Sequence, residues 1–136
     1  MNIILCGFMG SGKTVVGTEL AKITGRKFVD TDEMVEKKQG VAIKAIFATR
    51  GEEYFRDLEW EVCKEVAQMK DAVISTGGGA MTFQRNVDAV KNLSTNFLPV
   101  ILASSVPTTV FPLPIKPHKI IFISFPFPLV LFSKLF

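Results

Sequence analysis

Gly7-Phe8-Met9-Gly10-Ser11-Gly12-Lys13-Thr14 follows the apolar run Asn2–Cys6 (NIILC) and precedes a segment with helical periodicity. The octapeptide has the spacing G-x-x-x-x-G-K-[ST] of a phosphate-binding loop, in the strand–loop–helix setting such a loop requires. A polyphosphate carries several negative charges, and a loop of this kind turns successive backbone N–H groups toward them. Gly10 and Gly12 permit backbone angles and a close approach that a Cβ would obstruct. The following helix points its positive end at the same anion. Lys13 supplies a point charge for the β- and γ-phosphates, and the Thr14 hydroxyl can join a Mg²⁺ shell.

Outward from this loop, strand-like runs alternate with helix-period segments, which predicts a parallel α/β sheet. Lys13–Thr24 places Val16, Leu20 and Ile23 on one helical face, and Gly25 is a C-terminal stop. Phe28–Asp30 reads as a second strand, Thr31–Gln39 as a charged helix ending before Gly40, and Ala42–Thr49 as a short helix before Gly51. Glu52–Met69 is the strongest helix, with Phe55, Leu58, Val62, Val66 and Met69 forming an apolar stripe. Ala72–Ser75 (AVIS) is a third strand and runs into Thr76 and Gly77-Gly78-Gly79; Gln84–Asn92 reads as one more helix.

Length and composition narrow the classes. With 136 residues, 48% hydrophobic and 21% charged, the chain is a folded protein of one domain's size. The net charge of +3 comes wholly from Lys116, Lys119 and Lys134, because residues 1–96 carry 13 basic and 13 acidic side chains. That is no phosphate-tracking stripe, so nucleic acid is not an expected partner. Two cysteines, Cys6 and Cys63, and the lone His118 make neither a disulfide framework nor a metal-ligand pattern. The start at Met1 leads directly into a strand rather than a signal peptide, so the expected setting is the cytoplasm.

Composition changes abruptly near Asn96. All ten glycines precede residue 80, all seven prolines follow residue 98, and seven of the twelve phenylalanines lie in the last 40 residues. The expected organisation is a core over 1–96 and an atypical apolar segment over 97–136. Phe97–Ile115 is uncharged for 19 residues, but Pro99, Pro107, Pro112 and Pro114 oppose a membrane-spanning helix. The joint loss of Gly, Asp, Glu and Arg suggests that this segment is read out of frame.

Other candidate residues are less specific. Asp30 and Asp32 stand at the C-terminal end of the second strand, the edge where open α/β sheets bind ligands. Asp30 can hold Mg²⁺ through water, and Asp32 can polarise a substrate hydroxyl; the spacing serves helix capping equally well. Arg56 offers a planar fork for a carboxylate, although by itself its position fits a surface salt bridge better. The Gly77-Gly78-Gly79 triplet suits either a ligand packed on main chain or a flexible loop. Trp60 reads as packing, Glu52, Glu53, Glu59, Glu61 and Glu65 as a solvated helix face, and Arg50 and Arg85 carry no distinguishing context.

Taken in order, GFMGSGKT, FVDTD, IFATRGEEYFRDLE and VISTGGGA resemble the shikimate kinase family from about Ile3 to about Lys91. The resemblance implies a P-loop NTPase fold of the nucleoside-monophosphate-kinase type, three-layered around a parallel sheet, with a truncated or aberrant C-terminal part. It implies a monomeric enzyme phosphorylating the 3-hydroxyl of shikimate with ATP and Mg²⁺, on the route to aromatic amino acids. Gly10, Ser11, Gly12, Lys13, Thr14 and Val15 would hold the ATP phosphates. Asp32, Arg56 and Gly78, with Gly77 and Gly79, would bind shikimate, with Lys13, Asp32 and Arg56 catalytic and Thr14 and Asp30 at the metal. The family continues with an arginine-bearing lid, a second carboxylate-binding arginine and an adenine loop. Here the arginines are Arg26, Arg50, Arg56 and Arg85, so none of those later residues can be assigned. The competing readings are a non-catalytic nucleotide-binding module, a kinase for another small metabolite such as gluconate, and a variant anchored to a membrane by 97–136.

Overall fold

The computed structural model describes residues 2–93, 97–104 and 121–125. Its elements run β1 (Asn2–Cys6), α1 (Lys13–Thr24), β2 (Lys27–Asp30), α2 (Thr31–Gln39), α3 (Ile43–Ala67), β3 (Ala72–Ser75), a 3₁₀ turn (Ala80–Thr82), α4 (Gln84–Leu93), β4 (Phe97–Ser104) and β5 (Ile121–Phe125). The five strands form one parallel sheet in the order β2-β3-β1-β4-β5. From β1 the chain builds one side of the sheet, with β2 and β3, and then crosses to build the other. The loop after β1 therefore opens at the point where strand order reverses, which in such sheets is the ligand-binding crevice.

Parallel strands covered on both faces read as continuous apolar runs, and NIILC obeys that rule. Ile4 and Cys6 join Val29, Ile74 and the buried side of α2, α3 and α4. Ile3 and Leu5 point the other way, to Val73 and the buried side of α1. On α1 the buried residues are Lys13, Val16, Gly17, Leu20 and Ala21, spacings that return the same face each turn. Ile23 falls off that stripe and is 64% exposed, contrary to the sequence expectation. Gly25 does end α1, with its N–H donated to the carbonyls of Ala21 and Lys22.

Element α3 consists of two helices that meet at a kink at Gly51 (φ 81°, ψ 175°), the boundary that the sequence predicts. Beyond that break Phe55, Leu58, Val62 and Val66 face the core, while Met69 packs against it just past the helix end. Helices α2 and α3 are tied by the Glu36 carboxylate, which accepts from the Ile43 N–H at 2.9 Å, and by the Tyr54 hydroxyl, which donates to Gln39 Oε1 at 3.1 Å. A Lys38–Glu65 ion pair joins them further along.

The break in composition near Asn96 is not the end of the sheet. Strand β4 pairs with β1 from Asn2↔Phe97 to Cys6↔Ile101, and β5 pairs with β4 from Val100↔Ile121. Pro99 is opposite Ile4 in the β1 pairing and precedes the residues that pair with β5. His118 and the lysines at 116, 119 and 134 lie outside the described residues. Among the described residues, no helix is long and apolar enough to cross a membrane.

Gly17 sets how closely α1 approaches the sheet. A Cβ there would collide with the Phe28 ring and come within 2.9 Å of Leu5 Cδ1. Alanine is favoured over glycine in a helix by about 1 kcal/mol, but overpacking of this kind costs roughly 1–3 kcal/mol. Gly17→Ala is therefore expected to lower the midpoint of urea unfolding, and an unchanged or raised midpoint would show that the interface is looser than described.

Candidate functional site

The loop after β1 is shaped by left-handed backbone at Gly10 (φ 80°) and Gly12 (φ 82°), conformations that a side chain rarely adopts. Gly12 is also the N-cap of α1, and its carbonyl accepts from the Val16 N–H at 2.9 Å. Lys13 is 9% exposed, and its ammonium donates to the carbonyls of Gly7 and Phe8, each at 2.8 Å. Burial pulls the Lys13 pKa down, and the charges of Asp32 and Asp30 oppose that pull. Ser11 is buried, with its Oγ unpartnered.

Asp30 takes the capping role that the sequence left open. As N-cap of α2, its Oδ1 accepts from the N–H groups of Asp32 (3.0 Å) and Glu33 (3.5 Å). Its Oδ2 faces Thr14, whose hydroxyl lies 3.5 Å away. Capping therefore aims the second oxygen at the loop. Thr14 Oγ1 and Asp30 Oδ2 are hard oxygen donors at the rim of one cavity, a pair suited to Mg²⁺, which keeps much of its water and binds phosphate oxygens besides. No cluster of three metal-binding side chains exists among the described residues.

A cavity of about 350 Å³ lies between the loop and the end of β3, lined by Met9, Gly10, Gly12, Lys13, Thr14, Val15, Asp30, Asp32, Ser75, Thr76 and Gly78. The glycine triplet is no slack loop. The Gly77 N–H donates to Thr31 Oγ1 at 3.0 Å, and a Cβ on Gly77 would stand 2.6 Å from Asp32 Oδ1 and 3.0 Å from Glu59 Oε1. At Gly78 a Cβ would meet the Met9 backbone nitrogen at 2.9 Å, so the triplet abuts the phosphate-type loop directly. Asp32 Oδ1 is buried without a hydrogen-bond partner. Burial first, and then the nearby charges of Asp30 and Glu59, push the Asp32 pKa up to about 6 against the pull of Lys13.

Arg56 stands outside the lining of this cavity, behind Gly79, where a Cβ would lie 3.6 Å from Arg56 Nη1. Its Nε and Nη2 donate to Glu52 Oε1 at 3.2 and 2.9 Å, and Nη1 donates to Glu59 Oε2 at 2.7 Å. Burial works against its charge, but bonds to Glu59 and Glu52 more than offset that and raise its pKa. Arg56 is thus in an ion pair, as its position suggested, yet one that is mostly buried and set beside the triplet.

Glu59 corrects the reading of a solvated acidic face, being 3% exposed. Its position offered a signal, because 59 falls on the buried stripe between Phe55 and Val62 and three residues after Arg56. Phe83 also went unnoticed; its ring lies 4.9 Å from Arg56 Cζ. Trp60 is only partly packed, with Lys64 Nζ 3.9 Å from its ring centroid, and Arg85 is paired with Asp57 at 2.8 Å. Cys6 and Cys63 are buried, and burial raises their thiols to about 11 and about 12, far from reactivity.

The titration of Asp32 has a measurable consequence. Its ordinary pKa is 3.8, so the folded protein holds this proton more tightly than the unfolded chain does. The charged form is a penalty that is full above about pH 6 and fades as pH falls toward 4. Asp32→Asn is expected to stabilise the protein at pH 7.5 by about 1–2 kcal/mol, after allowance for partial solvent screening, and by much less at pH 4. Urea unfolding at the two pH values checks this, and equal effects at both would refute it.

A family model described as shikimate kinase matches residues 9–108. The chain is 52% identical over 90 residues to shikimate kinase of Moorella thermoacetica, covering 66% of this chain and 52% of that protein. It is 49% identical over 86 residues to the enzyme of Parabacteroides distasonis, covering 63% and 50%. The chain thus spans about half the length of the curated relatives it matches. Among solved structures, shikimate kinase of Acinetobacter baumannii in complex with shikimate superposes with a TM-score of 0.69 at 42% identity, covering 74% of this chain and 55% of that one. The Aquifex aeolicus enzyme gives 0.70 at 39%, covering 76% and 64%. A gluconokinase of Sinorhizobium meliloti, at 14% identity and a TM-score of 0.57, shares the fold alone. Matched by its family's model over most of its length, and folded as a P-loop NTPase, this chain belongs to the shikimate kinase family.

Proposed function

We propose that the chain binds ATP at the Gly10–Val15 loop and shikimate between Asp32, Gly78 and Arg56, as a cytoplasmic monomer that transfers the γ-phosphoryl group to the 3-hydroxyl. The observation that carries this reading is that one cavity is lined by Lys13 and the loop together with Asp32 and Gly78. Arg56 lies one residue further along the same triplet and is the group to receive the substrate carboxylate.

Phosphoryl transfer asks mainly for positioning and charge neutralisation. Arg56 and Gly78 fix the polyol so that its hydroxyl meets the γ-phosphorus. The hydroxyl oxygen forms the new P–O bond, the bond to the β-phosphate bridge breaks, and ADP leaves with its electron pair. The hydroxyl proton goes to Asp32, whose pKa near 6 suits a base working close to neutral pH. Thr14 and Asp30 would hold Mg²⁺, which would supply charge neutralisation for the phosphoryl transfer. Lys13 supplies a further positive charge in the same cavity.

Residues 97–136 contain no arginine, which favours a second reading in which the chain binds nucleotide but turns over slowly or not at all. An arginine on the transferred phosphate is worth about 10³–10⁵ in rate in GTPases. We read the change of composition in the C-terminal segment, beyond the family match that ends at residue 108, as a change of reading frame. A second frame downstream of codon 92 encoding an arginine-bearing continuation is the expected finding in the DNA, and its absence would remove that explanation.

Calorimetric titration of the 136-residue chain is expected to show binding of both ATP and shikimate, with slow shikimate-dependent ADP release. Arg56→Lys keeps a charge beside Glu59 but loses the planar fork. It is expected to weaken shikimate about tenfold, while ATP affinity stays within about twofold. ATP binding with neither heat nor ADP release on addition of millimolar shikimate would leave the non-catalytic module as the correct reading. In a version carrying a restored C-terminal half, phosphorylation of shikimate but not gluconate is expected.

A further inference from the structure

The Arg56 guanidinium lies close to two aromatic rings. Phe55, its neighbour on α3, lies 5.3 Å from Cζ, and Phe83 covers it from across the interface with α4 at 4.9 Å. Phe83 stands on a fixed base. Its N–H donates to the Ala80 carbonyl, closing the 3₁₀ turn that follows the glycine triplet, and its own carbonyl accepts from the N–H groups of Asn86 and Val87 at the start of α4. Asn86 is buried and anchors the same turn through Nδ2 to the Ala80 carbonyl at 2.9 Å. The ring is nonetheless 37% exposed, so core packing does not account for its whole surface.

A benzene ring facing a guanidinium attracts it through the ring quadrupole and leaves the edge N–H groups free to donate. Glu52 and Glu59 engage three of the five N–H donors, through Nε, Nη1 and Nη2, leaving one on each terminal nitrogen. Both terminal nitrogens lie within 4 Å of the point where a Gly79 Cβ would stand. We infer that Phe83 is a positioning residue for the substrate carboxylate: its ring fixes the plane of Arg56 so that the remaining N–H edge is presented beside the triplet. This rests on the reading of Arg56 as the carboxylate site.

The test is a titration of the intact chain, in the presence of the non-hydrolysable ATP analogue AMP-PNP, with shikimate and with its uncharged methyl ester. Phe83→Leu keeps an apolar side chain but removes the quadrupole, and it is expected to weaken shikimate about threefold to tenfold. Ester and AMP-PNP affinities should stay unchanged, and Phe83→Tyr should restore shikimate binding. Thermal melts of each variant report folding. Equal weakening of acid and ester, no weakening of either, or failure of Phe83→Tyr to restore binding would overturn the inference while leaving the shikimate site in place. If the unsubstituted chain binds the acid no better than the ester, the carboxylate reading of Arg56 itself fails and the inference falls with it.

Discussion

The ammonium of Lys13, buried and bonded to the carbonyls of Gly7 and Phe8, is the interaction on which the rest of the site depends. It closes the loop upon itself at the strand-order reversal of the sheet, where backbone amides and a helix N-terminus already converge. A buried cation with two neutral acceptors is an unbalanced charge, and the acids at the end of β2 and start of α2 supply the balance. Asp30 and Asp32 therefore face the loop for an electrostatic reason as well as a chemical one.

The second half of the site repeats this logic with opposite signs. Glu59 is buried and would be costly alone, and Arg56 compensates it at 2.7 Å. Glu59 also raises the affinity of Asp32 for its proton, so the guanidinium pair and the candidate base are electrically linked through one side chain. Groups meant for a ligand are held in a state that the folded protein itself does not favour, as Asp32 Oδ1 illustrates by lacking a partner. Such frustration is common where binding, rather than stability, has set the arrangement.

Much of this was legible from residue order because the decisive features are local. The loop, α1, α2 and β3 follow from glycine placement and from periodicities over a few turns. Asp30 could not be resolved, since a capping carboxylate and a metal-facing one have the same spacing; here one oxygen caps α2 and the other faces Thr14. Glu59 was missed because glutamate is ordinarily solvated, although its place in the stripe of Phe55 and Val62 ran against that habit. Ile23 shows the converse, an apolar residue one position off the buried face. Strands β4 and β5 lay hidden in a segment whose prolines and unbroken apolar character erase periodicity; pairing with β1, a contact between residues nearly 100 positions apart, is not written in any short window.

Gly77 carries a consequence for how this protein can change over generations. The missing methyl group leaves room for two carboxylates from different helices, so positions 32, 59 and 77 share one small volume and one charge balance. A substitution acceptable at one of them depends on what occupies the other two. Descendants of this sequence would thus be expected to drift as a correlated triple there, with intermediate genotypes disfavoured, even though the three residues are scattered along the chain.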